Sequence, residues 1–338
     1  MKKISKLCIG PMSLPVIDSI CDYANKYNKS LMLIASRNQI ECKELGGGYV
    51  NNFNTDEYVK YVKIKDKNNK VALCRDHTGP YLSDSEKSNS LKDSLKKTKI
   101  SIQNDIRAGF DFIHIDTSMC KRKYEIAEEL IDYALEKANS LRKKIFFEFG
   151  TEEHGVEVAY SKFKEDINFA SRFKEIKFVV GQTGSLCKEI YQVGGYNFSM
   201  VKKMVTLAAK KNILLKEHNG DYLSKSDLLL RKKSQLGSLN VAPQFGVEHT
   251  KTIHYLSNIY DEINIFEKFF KYVISKNKWK KWAYGKTPNQ VKFLCSAHYF
   301  FETEEYKNLV YRLEKKVNIN LKIKNNIENL INHYYQNL

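Results

Sequence analysis

The sequence predicts an α/β fold, a parallel (β/α)8 (TIM) barrel with a C-terminal helical extension. Three observations predict it. Apolar runs alternate with stretches of helical length eight times over roughly 250 residues, the size of such a barrel. The runs are near-continuously apolar, as strands covered on both faces are. Several runs end in an acid, an imidazole or an amide, and the C-terminal strand ends are where this fold presents its chemistry.

Leu7-Cys-Ile-Gly10 is a short first strand, followed by a helix over 13–27. Ser30-Leu-Met-Leu-Ile-Ala-Ser36 is the second strand, running into Arg37, Asn38 and Gln39 and then the glycine cluster Gly46, Gly47, Gly48. Three glycines permit a tight turn, the stronger reading, or close approach of backbone to a ligand. Thr55 is expected to cap a helix with Asp56 and Glu57 in its first turn. The third strand, Val71-Ala-Leu-Cys-Arg-Asp-His-Thr-Gly-Pro80, is the pivot, because it delivers Asp76 and His77 side by side at its tip. A helix over 90–108 leads to the fourth strand, where a period of two puts His114, Asp116 and Ser118 on one face, aimed at the mouth. For His114 a buried polar network is an equal reading.

A helix over 124–141 precedes Lys144-Ile-Phe-Phe-Glu-Phe-Gly150, the fifth strand. Its Glu148 is a carboxylate in an apolar run, which needs a partner or a metal. The next loop holds Glu152 and His154. After a helix over 160–173, the sixth strand ends at Gln182. After another over 199–211, the seventh ends at His218 and leads into Asn219, Gly220 and Asp221. The eighth, Leu236-Gly-Ser-Leu-Asn-Val-Ala-Pro243, carries Asn240. Beyond about 275 the alternation stops. The expected organisation is a barrel over 1–272 with a metal site at its C-terminal face, and a helical extension over 273–338 packed on it.

The net charge of +17 suggests an anionic partner. The basic residues are scattered rather than striped and no nucleic-acid module occurs, so no nucleic-acid partner is expected. Seven cysteines form no CxxC pair. With no signal peptide and no apolar run of bilayer length, a cytoplasmic protein without a membrane partner is expected. The third, fifth and seventh strands end in or near His77, Glu148 and His218. Two imidazoles and a carboxylate converging at one mouth match a catalytic zinc set with a position left open.

Several segments resemble the class II tagatose-bisphosphate aldolase superfamily, most closely its non-catalytic (Z-type) subunit branch. These are Ala35-Ser-Arg-Asn-Gln39 with Gly47-Gly-Tyr49, Asp76-His-Thr-Gly-Pro80, Ala108-Gly-Phe-Asp-Phe-Ile-His-Ile-Asp-Thr-Ser-Met119, His218-Asn-Gly-Asp-Tyr222 and Ala297-His-Tyr-Phe-Phe-Glu-Thr-Glu-Glu-Tyr306. They run in the family's order over most of the chain. The resemblance implies that Asp76 moves the proton at a C4 hydroxyl, that His77 and His218 bind a divalent metal, and that Asn240 contacts substrate. Glu148 is similar to the family's metal-binding strand-end Glu; Gly150-Thr-Glu152 resembles the Z-type pattern and would make Glu152 the ligand, and both stay open. Gln182 stands where catalytic members have a further metal-binding His, and is expected to orient substrate or water.

The metal implied is zinc, with manganese or cobalt as alternatives, and the substrate a phosphorylated sugar. Asn38, Gln39, Gly47, Gly48, His114, Asp116, Ser118, Gln182, Asn219, Gly220, Asp221 and Asn240 are the expected substrate contacts. Amides of the glycine cluster and of Asn219-Gly220 are candidates to hold phosphate. The activity implied is C4 epimerisation of a ketose phosphate. Alternatives are a class II ketose-bisphosphate aldolase, or a non-catalytic subunit stabilising one. A homo-oligomer is expected, with an aldolase subunit as the further partner.

Overall fold

A computed structural model describes residues 4–150 and 160–338. Eight parallel strands close into a barrel: β1 (Leu7–Ile9), β2 (Leu31–Ser36), β3 (Val71–Thr78), β4 (Phe112–Ile115), β5 (Phe146–Phe149), β6 (Ile176–Val180), β9 (Leu214–Glu217) and β10 (Ser238–Val241), with β1 paired to β10. A two-stranded hairpin, β7 (Cys187–Lys188) and β8 (Tyr191–Gln192), interrupts the connection after β6 and was not foreseen from the sequence. Around the barrel stand α1 (Leu14–Tyr27), α2 (Thr55–Lys65), α3 (Leu91–Ala108), α4 (Lys123–Ser140), α5 (Tyr160–Ala170), α6 (Phe198–Ala209), α7 (Lys225–Ser234) and α8 (Pro243–Ile259). The extension adds α9 (Ile263–Ser275), α10 (Asn289–Ser296), α11 (Glu304–Glu314) and α12 (Ile319–Asn337).

Alternation divides each strand between two environments. On β3, Val71, Leu73 and Arg75 face the helices, while Ala72 and Cys74 join Cys8, Met32, Ile34, Phe112 and Phe178 inside the barrel. Arg75 is fully buried, and its guanidinium is spoken for by both Asp105 oxygens on α3, at 2.9 and 2.6 Å, and by the carbonyls of Ala35 and Ile40. That fixes the loop after β2 against β3. Helix α2 is capped by Asn54, not by Thr55; the Asn54 side chain accepts from Glu57 N and Glu57 returns a bond to Asn54 N.

The extension is woven into the barrel mouth. Tyr334 of α12 donates to the Gly220 carbonyl at 2.9 Å, and Tyr306 of α11 bonds the His249 ring of α8 at 2.6 Å. Among the described residues no helix is long and apolar enough to cross a membrane.

Candidate metal centre and its cavity

Neighbouring residues of a strand point to opposite faces, so Asp76 and His77 should not share a side. They do so because β3 slips register against β4 between Arg75 and Thr78, and His77 sits at φ 47°. This bulge re-aims its ring into the mouth. The turn beyond it requires Gly79, since a Cβ there would lie 1.7 Å from the Asp116 carbonyl oxygen. The Asp-His-x-Gly-Pro pattern is thus a way of wedging β3 against β4.

Asp76, His77, His114 and His218 each offer a ligand atom, all within 4.8 Å of one another. The three rings form a near-equilateral triangle with centroids 5.1, 5.2 and 5.1 Å apart. His77 Nδ1 lies 2.8 Å from Asp116 Oδ2, leaving Nε2 toward the centre, 3.7 Å from Asp76 Oδ2. A carboxylate behind one ring nitrogen is how a metal-binding histidine is oriented. His114 is tied at both nitrogens: Nε2 is 3.2 Å from the Gly150 carbonyl, and Nδ1 is 3.2 Å from Asp76 Oδ1 and 3.3 Å from His77 N. With Nε2–H given to Gly150, Nδ1 accepts from His77 N in the neutral ring and donates to Asp76 in the protonated one.

Burial resists ionisation of Asp76, but His77, His114 and His218 outweigh it and hold the carboxyl well below the usual range. Burial likewise resists ionisation of Asp116, yet His77 and His114 pull it to about 2. Burial disfavours a charged His114, but the bond to Asp76 and the charges of Asp116 and Asp76 raise its pKa. Fixed carboxylates around imidazoles set at steep angles to one another are therefore ready to hold either protons or a cation. The separations suit the roughly 2 Å bonds of one divalent ion held by nitrogen and oxygen.

Glu148 is not part of this group. It is fully buried inside the barrel, paired with the fully buried Lys216 of β9, whose Nζ also lies 5.2 Å from the Phe178 ring centroid. The expected ligand is thus the counter-ion of a lysine beneath the mouth. Glu152 and His154 lie outside the described residues.

Asp76, His77 and His218 open onto a cavity of about 760 Å³ that Asn38, Gln39, Gly47, Gly48, Asn219, Asp221 and Asn240 also line. Their states differ. Both polar atoms of the Asn240 side chain are buried with no hydrogen-bond partner among the described residues. Asn38 instead staples two loops, accepting from Asp84 N at 2.9 Å, and Gln39 accepts from Ser36 N at 2.9 Å. Asp221 accepts from Ala242 N and Gln244 N at the start of α8, and burial raises its pKa to about 7. The amides of Gly46, Gly47 and Gly48 are bonded to the carbonyls of Lys43, Cys42 and Phe53, and that of Gly220 to Asn240 O. These four amides are not free to cradle phosphate, and the cluster serves a turn in which Gly48 lies against the Gln39 backbone. Asp116 is buried behind His77, Ser118 N donates to Asp116 Oδ1, and Gln182 is half-buried; none of these three lines the cavity. Lys278, Lys281, Trp282, His298 and Tyr299 of the extension form the cavity's other wall, which no strand-tip pattern announces.

Residues 4–144 match the family model of the D-tagatose-1,6-bisphosphate aldolase subunit GatZ/KbaZ-like proteins. No curated protein matches the chain by sequence. Among solved structures, a probable tagatose 6 phosphate kinase from Sinorhizobium meliloti superposes with a TM-score of 0.82 at 16% identity, over 99% of this chain and 100% of that one. The YdjI aldolase from Escherichia coli gives 0.55 at 12% identity, over 98% and 91%. A fructose-bisphosphate aldolase from Campylobacter jejuni gives 0.58 at 10% identity, over 98% and 90%. These likenesses establish the fold. The chain is a closed parallel (β/α)8 barrel whose residues 4–144, the part that brings Asp76, His77 and His114 together, match the GatZ/KbaZ-like family model.

Proposed function

We propose that the chain is a metal-dependent ketose-phosphate enzyme working by reversible C3–C4 aldol chemistry, and that it epimerises C4 of a fructose 6-phosphate or tagatose 6-phosphate type of substrate. The observation that carries this is the Asp76, His77, His114 and His218 group, opening on a cavity with the Asn240 amide, unpartnered among the described residues, at its side. His77 and His218 would hold the ion, zinc first and manganese or cobalt next, with His114 as the third donor and Asp76 beside it. When bound, a divalent ion supplies Lewis-acid polarisation of the ketose carbonyl.

The chain's own residues do the rest. Asp76 is ionised and accepts the C4 hydroxyl proton as the C3–C4 electron pair moves toward the carbonyl. Asn240 bonds a substrate oxygen and replaces water lost on binding. Asp116 keeps His77 in one tautomer. Aldehyde that turns over and re-adds through its other face takes the proton back from Asp76 as the C4 epimer. Aldehyde that leaves makes the same site an aldolase, the second reading, which the family match favours. A third assigns the chain to a stabilising subunit, and the family name supports pairing with an aldolase subunit. No disulfide joins the seven cysteines among the described residues, as expected of a reducing, cytoplasmic setting.

The test incubates metal-loaded protein with fructose 6-phosphate and follows products by NMR. A C4 epimer supports the proposal and triose release supports the aldolase. Asp76→Asn should lower turnover by about 10²–10⁴-fold with metal still bound. Stoichiometric metal without turnover on any ketose phosphate, or turnover undiminished in Asp76→Asn, overturns the mechanism.

A further inference from the structure

The ketose phosphate proposed above needs a place for its phosphate, and the four glycine amides best suited to it are already bonded within the fold. The cavity's far wall offers an alternative. Lys278–Lys281 forms a single 3-10 turn ahead of Trp282. Trp282 Nε1 donates to Tyr299 OH at 3.1 Å, and its carbonyl accepts from Glu189 N of the hairpin connection at 3.0 Å. Lys278 bridges to Asp84 in the loop after β3 at 3.3 Å. These ties hold the turn over the mouth.

Lys281 lines the cavity, yet no carboxylate pairs with it among the described residues; its Nζ lies 5.4 Å from the Trp282 ring centroid. The local charge is unbalanced. Lys87 at 3.1 Å and Lys278 share Asp84, and Lys281 is a third ammonium beside that one carboxylate. Lys281 itself is exposed at the rim of the cavity, and an added anion there offsets the local excess of positive charge.

His298 lines the same wall. It is 2% exposed, and neither ring nitrogen has a partner among the described residues. Burial and then Lys281 hold its pKa at about 3, so the ring is neutral and carries one N–H. A buried donor without a partner is rare in a native fold and calls for a ligand.

We propose that Lys281 and His298 of the C-terminal extension form the subsite for the phosphate of the substrate, Lys281 by charge and His298 by a neutral hydrogen bond. The inference rests on the ketose-phosphate reading for its ligand but not for its test. Binding of inorganic phosphate and of fructose 6-phosphate is measured by calorimetry on the full-length, metal-loaded protein, with fructose as the uncharged control. Lys281→Met should weaken both phosphate ligands by about 10- to 100-fold and leave fructose unchanged. Lys281→Arg should restore most of the loss. His298→Phe should weaken phosphate and His298→Gln should keep it, with urea midpoints confirming that each variant folds. Phosphate affinity unchanged in both Lys281→Met and His298→Phe overturns the subsite, whatever the turnover. Lost phosphate binding in a protein that turns over no ketose phosphate supports the subsite and removes only the epimerase reading.

Discussion

Lys216 and Glu148 are a buried pair inside the barrel, and replacing one partner separates the structural account of Glu148 from the metal-ligand account. In Lys216→Met the side-chain volume is nearly kept, and the Met side chain ends where the ammonium meets Met32 Sδ and the Phe178 ring. The charge is not kept. Among the described residues Glu148 Oε2 has no hydrogen-bond partner, so the ammonium is its main compensation. An uncompensated buried carboxylate should cost about 3–5 kcal/mol, and loss of the Lys216–Phe178 contact about 0.5–2 kcal/mol more. Against a typical stability of about 5–15 kcal/mol, the variant should be barely folded.

Lys216→Met with Glu148→Leu removes both charges and places a second apolar group among Cys8, Ile34, Cys74 and Phe112. Such replacements are often neutral or stabilising by about 1–4 kcal/mol, so the double variant should recover most of the loss. Urea unfolding at pH 7 reads the coupling energy, expected to be at least about 3 kcal/mol, and metal analysis of the same samples reads the site. The double variant should bind metal like the parent, because Glu148 is not among the clustered donors. A double variant that folds but has lost its metal would refute this reasoning and return Glu148 to the ligand set. One as unstable as Lys216→Met would refute the pairing argument.

Asp116→Asn keeps the shape behind His77 but removes the charge that fixes its tautomer, and metal affinity by competitive chelation should fall about 10–100-fold. Gly79→Ala forces a Cβ into the Asp116 carbonyl, so the barrel should lose more than about 3 kcal/mol in urea unfolding; a loss under 1 kcal/mol would show that β3 and β4 can part there. His249 gives a pH test away from the metal centre. Burial holds its pKa at about 3, and it bonds Ser13 and Tyr306 as a neutral ring. The unfolded chain protonates below about pH 6.5 while the folded ring does not. Its contribution is therefore complete above that pH and is lost as the pH falls toward 3. Between pH 7 and 5 the parent should lose about 2 kcal/mol more than His249→Gln, read from urea midpoints at both values.

The barrel was legible because its strands are buried on both faces, and such strands declare themselves as apolar runs whatever surrounds them. The tips of β3 and β9 were legible for the same reason: Asp76, His77 and His218 interrupt apolar stretches at their ends. Glu148 misled because a carboxylate inside a strand demands a cation without naming which one. The signal that would have corrected it was in the chain. In Leu214-Leu-Lys-Glu-His218, Lys216 shares the parity of His218 and so faces inward one step deeper than the mouth. His114 was placed on the inner face by the same parity, but whether it meets substrate or metal depends on how far β4 is staggered against β3. That stagger is fixed by the bulge at His77 and by Gly79 against Asp116, which no periodicity announces.

The far wall was illegible for a different reason. Lys281 and His298 lie some distance along the chain from any strand tip, in a tail whose repeating pattern is only helical, and their meaning comes from where the extension folds back. That return is set by buried polar ties such as Tyr334 to Gly220 and His249 to Tyr306. The extension then does more than cover apolar helix faces. Cutting it away would remove the whole far wall of the cavity, Lys281 and His298 included, and the Tyr306 partner of the His249 ring together. Substrate recognition and barrel stability should accordingly fail together on truncation, while Lys281→Met separates them by touching recognition alone.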